Sequence, residues 1–252
     1  MTDRPLILLA NDDGFRAAGL QVLRASLARV GEVIVCAPTA EQSAKSHSLT
    51  MHKPLRLLKH EPGVFSVDGT PADSVYVALN AGTRVLPRRP DLVVSGLNHG
   101  VNLGDDVFYS GTVAAAREAA LKGVPAMAVS ADHRTSMPHA SEVCARLAAE
   151  LIAQQLQGGA LINVNFPAGN QWDVRETRLG SRTYLESIDF RTDPRGREYL
   201  WVGGRGVEHR LVAGSDTEAF DAGIVSVTPL MLDLWRSEHS GLAQSLASAG
   251  RR

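Results

Sequence analysis

Within the 252 residues, no stretch approaches the roughly 20 apolar positions that a membrane-spanning helix needs. Met1, Thr2, Asp3, Arg4 and Pro5 lead straight into a short strand pattern, without the apolar core and small-residue cleavage site of a signal peptide. Cysteine is nearly missing: Cys36 and Cys144 stand far apart in apolar surroundings, which reads as two reduced core residues rather than a disulfide. An excess of one charge is missing too, with 26 Lys and Arg against 27 Asp and Glu. That balance argues against a protein that coats duplex nucleic acid or binds a membrane surface, whereas a small phosphorylated ligand needs only a local site. No Gly-Lys-Ser/Thr phosphate loop, no dinucleotide Gly-x-Gly-x-x-Gly and no Gly-x-Ser-x-Gly elbow occurs. The eight histidines show no H-x-x-x-H pair, and no Cys or His set matches zinc. The expectation is a soluble, cytoplasmic protein.

What is there has the makeup of a globular α/β chain, 44% hydrophobic and 21% charged. Its length suits one large domain, or one domain with an appendage. Residues 6–10, 33–37, 92–95, 126–130 and 161–164 are short apolar runs, the mark of strands buried on both faces of a parallel sheet. Helical patterns cover 19–29, 71–80, 112–122 and 142–155, and 55–57 and 64–67 look like half-exposed strands. Repeated βα units predict right-handed crossovers and a doubly wound, Rossmann-like, mostly parallel sheet. The character changes near Gly169. Residues 172–210 alternate like a protruding β-hairpin, 224–227 is a strand ending at Thr228 and Pro229, and Leu230, Leu234 and Leu242 suggest a C-terminal helix. The chain therefore divides into a core over 1–170 and, over 171–252, a hairpin extension with an oligomerisation segment that is not an independent domain.

Ligands of open parallel sheets bind beyond the carboxyl ends of the strands, and three unusual clusters lie there. Asn11, Asp12, Asp13 and Gly14 directly follow the first strand. Adjacent carboxylates at a buried strand end repel one another and lose hydration, so a cation is a fitting partner; an Asx turn that caps the next helix is the plainer alternative. Residues 95–106 combine spaced glycines with Asn98 and Asn102, which offer close backbone approach and neutral oxygens, or simply make a flexible loop. Ser110, Gly111 and Thr112 open a helix, and small hydroxyl residues at a helix N-terminus serve both as a cap and as an anion site. The loop 39–50 adds Ser43, Lys45, His47 and Ser48 after the second strand.

Read together, these segments resemble the SurE family, metal-dependent nucleotidases that act on nucleoside monophosphates. The resemblance rests on Asn-Asp-Asp-Gly at 11–14, Ser-Gly-Leu-Asn-His-Gly-Val-Asn at 95–102 and Tyr-Ser-Gly-Thr-Val-Ala-Ala-Ala at 109–116. Ala37-Pro38, Gln42-Ser43, the runs 46–50 and 68–73, and 225–230 continue it in order. It spans about 5–232 and weakens over 172–215. It implies a Rossmann-like core, a hairpin, and a C-terminal segment exchanged between subunits of a homodimer or homotetramer. It also implies metal ligands at Asp12, Asp13, Ser43 and Asn98, an all-oxygen set suited to one Mg²⁺ or Mn²⁺ per subunit rather than zinc.

The reading that follows is a metal-dependent phosphomonoesterase for nucleoside 5′-monophosphates, with 3′-monophosphates and short polyphosphate as further candidate substrates. Asp12, Asp13 and Asn98 are the candidate catalytic residues. Asn11, Asn98, Ser110, Gly111 and Thr112 are the candidate phosphate contacts, and His47 is a candidate proton donor. Two rivals differ at identifiable positions. An aspartyl-phosphate phosphatase places its second acid where Gly14 stands, and a receiver-like signalling module needs an Asp where residues 95–98 stand.

Overall fold

A computed structural model describes residues 4–210 and 212–250, with side chains left out at 185–187 and 204–205. The lead-in at residues 1–3, part of the reading of the N-terminus, lies outside the described residues. Nine strands form the main sheet. They are β1 (Leu6–Ala10), β2 (Glu32–Pro38), β3 (Leu57–Glu61), β4 (Val64–Val67), β5 (Leu92–His99), β6 (Ala126–Ala131), β7 (Leu161–Phe166), β8 (Val174–Glu176) and β11 (Val225–Leu230). Their order is β3-β4-β2-β1-β5-β6-β7-β11-β8. The six from β4 to β7 are mutually parallel, β3 and β11 run antiparallel to β4 and β7, and β8 lies parallel to β11.

Alternation along β1 sorts its side chains to two layers. Leu6 and Leu8 pack with Val75 and Ala78 of α2 (Pro71–Asn80) and with Val113 and Ala116 of α3 (Gly111–Leu121). Ile7 and Leu9 pack on the other face with Leu20 and Leu23 of α1 (Ala18–Leu27) and with Cys144 and Ala148 of α4 (Met137–Ala153). The doubly wound expectation holds. From β1 the chain winds outward to β2 and β4, then returns through α2 to β5 on the other side of β1. The winding therefore reverses at β1 and β5, and their carboxyl ends define the crevice.

Several elements differ from the sequence reading. The edge strand is Leu57–Glu61 rather than 55–57, and Val64–Val67 is wholly buried because β2 and β3 flank it. β5 runs on through the glycine-rich segment to His99, its register against β6 shifting between Ser95 and Asn98 as at a bulge. α4 starts five residues earlier than expected, since Pro138 and His139 break the apolar period but suit a first turn. β11 continues through Pro229, which sits where only β7 is a neighbour, because β8 pairs no further than Val227. Leu230 thus belongs to a strand, Leu234 to irregular chain, and the last helix, α6, is Ser240–Ala249. The short α5 (Asp216–Asp221) had no apolar period to announce it.

The hairpin is β9 (Ser181–Thr192) paired antiparallel with β10 (Glu198–Arg210), a two-stranded sheet of its own. Among the described residues no helix is long and apolar enough to cross a membrane.

Candidate active site

β1 ends in a turn braced by Asn11, which is fully buried. Its Nδ2 donates to the Gly14 carbonyl at 3.0 Å, and the Gly14 amide donates back to Oδ1 at 3.2 Å. Gly14 has φ +97°, a conformation a Cβ would strain. The brace carries Asp12 and Asp13 onto the carboxyl edge of the sheet at the switch point. Both ends of the Asn11 amide are thereby engaged, so Asn11 shapes the turn behind the site.

Asp12 is only 4% exposed, and burial pushes its carboxyl up to about 6. The Thr112 hydroxyl, donating to Oδ1 at 2.5 Å, opposes that rise, and the Asp13 charge adds to it. Burial also raises Asp13, with Glu41 contributing and the His99 amide opposing. Two acids in this state mark a place where negative charge lacks a counterion.

Facing them is the start of α3. Ser110 caps it, its Oγ accepting from the Val113 amide at 3.1 Å and keeping its own proton to donate. A Cβ added at Gly111 would lie 2.8 Å from Asp12 Cβ and 2.9 Å from Oδ2, so glycine is what lets the helix end abut the acid. The hydroxyl of Thr112 is spent on Asp12, which leaves its backbone N–H as its contribution toward an anion.

A cavity of about 1040 Å³ opens over this edge. Asp12, Asp13, Ser43, Asn98 and Ser110 line it, while Asn11, Gly111 and Thr112 stand behind its wall. The Asn98 Nδ2 donates to the Gly100 carbonyl at 2.7 Å, which turns Oδ1 away from that bond. Ser43 donates to Glu41 Oε1 at 3.0 Å, leaving the Oγ lone pairs for another partner. Among the described lining residues, Asp12, Asp13, Glu41 and Asp106 are acids and none is Lys or Arg. Among the described residues no three His, Cys, Asp or Glu are grouped to hold a metal. The donor set is instead mixed, two carboxylates with an amide and a hydroxyl oxygen, and this hard set in a cavity whose described lining has no Lys or Arg fits a divalent cation.

His47 departs from its expected role as a proton donor. Its Nε2 meets Glu118 Oε2 at 2.8 Å, and the ring lines a different cavity. The sequence reading also missed the far wall, made by Tyr184, Ile188 and Val202 of the hairpin. The Tyr184 hydroxyl donates to Asp106 Oδ1 at 2.6 Å, and Arg182 donates to the other oxygen of the same carboxylate. Burial and Asp106 push the Tyr184 phenol up to about 12, so it stays a donor. Nothing in the alternation of a solvated hairpin pointed to that contact. Glu41, two positions before Ser43, could have been suspected from its place after β2.

The family model described as Survival protein SurE matches residues 7–186. This chain belongs to the SurE family. The 5′-nucleotidase SurE of Sorangium cellulosum (strain So ce56) is 63% identical over 249 residues, covering 97% of this chain and 96% of that protein. The 5′-nucleotidase SurE of Pelobacter propionicus is 44% identical over 234 residues, 90% of this chain and 94% of that one. Among solved structures, the SurE protein from Aquifex aeolicus matches with a TM-score of 0.84 at 34% identity, over 96% of this chain and all of that one. Membership of the SurE family sets aside both the aspartyl-phosphate phosphatase and the receiver-like module.

Proposed function

We propose that this chain hydrolyses nucleoside 5′-monophosphates to nucleoside and inorganic phosphate with one divalent cation, Mg²⁺ or Mn²⁺, per subunit. Nucleoside 3′-monophosphates and short polyphosphate are further candidate substrates. The observation that carries the reading is the juxtaposition at the switch point: two neighbouring acids with raised pKa values, Asp12 buried and Asp13 half-buried, sit where the N-terminus of α3 abuts Asp12. Curated relatives named 5′-nucleotidase SurE at up to 63% identity support the substrate class.

Asp12, Asp13, Asn98 and Ser43 would hold the cation, which would supply Lewis-acid neutralisation of phosphoryl charge when bound. The amides of Gly111 and Thr112 and the Ser110 hydroxyl bind the phosphoryl oxygens, and they do so best as charge grows in the transition state. Asp13, the more accessible of the two acids, orients the attacking water. A P–O bond to that water forms as the ester P–O bond breaks; the water gives up one proton to solvent and the leaving alkoxide takes one from solvent, so nucleoside and inorganic phosphate are the products. Thr112 keeps Asp12 in place through its hydroxyl.

Residues 1–170 form the catalytic core. The extension 171–252 supports assembly into a homodimer or homotetramer in the cytoplasm, with no duplex nucleic-acid or membrane partner. The test is a panel of nucleoside 5′- and 3′-monophosphates and polyphosphate, assayed on stripped protein with Mg²⁺ or Mn²⁺ added back. Cation-dependent release of phosphate from 5′-monophosphates is expected, and full turnover in excess chelator would overturn the reading.

A further inference from the structure

The loop from 39 to 50 brings Ser43 to the cavity rim, and its backbone is held in an unfavourable shape. Ala44 has φ +56° and Ser46 has φ +53°, both left-handed although each carries a Cβ. Such conformations persist where the surroundings over-determine them, and they gather at functional sites. Two anchorages hold the strained residues. Before them, the Gln42 amide donates to the carbonyl of Asp12 at 2.7 Å. At the second of them, the Ser46 amide donates to the Tyr109 carbonyl at 3.0 Å and its hydroxyl to the Phe108 carbonyl at 2.6 Å. His47 then reaches Glu118 at 2.8 Å.

Glu118 is the unexpected partner. It lies on α3, a helix whose buried residues are otherwise small or apolar, and it is 3% exposed. A buried carboxylate is costly unless it is paired, and an apolar residue of similar size would usually stabilise the fold as well. Here one oxygen faces His47 and the other stands 3.6 Å from Lys122 Nζ, which fixes the carboxylate. α3 is also the helix whose first turn carries Ser110, Gly111 and Thr112 and touches Asp12. The contact therefore joins the loop of Ser43 to the element that presents the phosphate donors.

We propose that His47 and Glu118 are positioning residues for the cation site: their contact locks the strained Ser43 loop onto α3 and sets where the Ser43 hydroxyl stands relative to Asp12 and Asp13. This rests on the assignment of Ser43 as a cation ligand made above. The pair touches neither cation nor substrate, and its influence passes through Ser43. Groups that orient ligands from outside the coordination shell typically change metal affinity by about 10–100-fold.

The test is calorimetric titration of Mn²⁺ into the stripped full-length protein, with circular dichroism to show that each variant is folded. His47→Ala should weaken Mn²⁺ binding by about 10–100-fold, and raising Mn²⁺ should return its kcat toward the parental value. His47→Gln keeps an N–H for Glu118 and should recover most of the affinity. Ser43→Ala should weaken binding too, and the double variant Ser43→Ala/His47→Ala should be no weaker than Ser43→Ala alone. Glu118→Gln, which keeps the side-chain volume, carries the same expectation if alanine at 47 costs the fold. Parental affinity in His47→Ala, parental affinity in Ser43→Ala, or additive losses in the double variant would overturn the proposal. Asp13→Asn separates the two readings: lost binding there with unchanged binding in His47→Ala leaves the cation site standing and removes only the clamp.

Discussion

The end of the sheet at β1 and β5 and the chain beyond Leu230 follow opposite rules. Around Asp12 the polar groups are buried and answered by other parts of the chain, from the Asn11 brace to the Thr112 hydroxyl. In the tail, Leu234 is 87% exposed and Trp235 is 69% exposed, beside a largely apolar cavity of about 1150 Å³. The first region gathers largely buried charge at the floor of a cavity, which is what a cation and a phosphoryl group require. The second leaves apolar surface uncovered, which is what an interface requires. The hairpin belongs to both: its strands expose Phe190 and Trp201, while Tyr184, Ile188 and Val202 line the cavity and Arg182 and Tyr184 hold Asp106.

The sharpest way to break this contrast is to remove a proposed cation ligand from the sheet end. Asp13→Asn should lower turnover by about 10³-fold, as the loss of several kcal/mol of charge stabilisation implies, with circular dichroism unchanged. Next come the phosphate donors. Ser110→Ala should lower kcat/KM by roughly ten- to a thousand-fold, about 1.4–4 kcal/mol, and vanadate should inhibit the variant less than the parent. Thr112→Val should act differently, weakening cation affinity as well, because its hydroxyl supports Asp12. Asp106→Asn probes the region that belongs to both. By loosening Arg182 and Tyr184 it should raise KM about tenfold and leave kcat within about twofold, the loss of one buried charge-assisted contact. Smallest in its effect on chemistry is truncation after Leu230, which should shift the assembly toward monomer by light scattering while kcat changes by less than about twofold. A monomeric full-length protein would end the interface reading of the tail.

The same contrast explains what could be read from the residues alone. Buried strands such as Leu6–Ala10 and Leu161–Phe166 announce themselves as apolar runs, and Pro71 marks the start of α2 because its ring suits a first turn. The acid pair, Asn98 and Ser110 were legible because strand ends are where such sheets bind ligands. Long-range contacts were not. Thr112 meets Asp12 across 100 positions and Tyr184 meets Asp106 across 78, and neither spacing has a local signature. His47 was misread for the same reason, since its partner Glu118 lies 71 residues away. The continuation of β5 to His99 was hidden because a glycine-rich run looks like a loop until a neighbouring strand pairs with it.

On the proposed function, Asp12 and Asp13 form an acid pair that the fold tolerates for the sake of a cation. Asp12 has its folded pKa raised from 3.8 to about 6, so the metal-free protein keeps the associated stability below about pH 4 and loses it as pH rises through 6. By pH 8 the cost approaches roughly 3 kcal/mol for about two pKa units. The direct measurement is thermal unfolding of stripped parent and stripped Asp12→Asn at pH 8, each with and without saturating Mn²⁺. The metal-free variant should melt several degrees above the metal-free parent. Mn²⁺ should raise the melting temperature of the parent and leave that of the variant unchanged. A metal-free variant less stable than the parent, or one that Mn²⁺ stabilises as strongly, would contradict that reading.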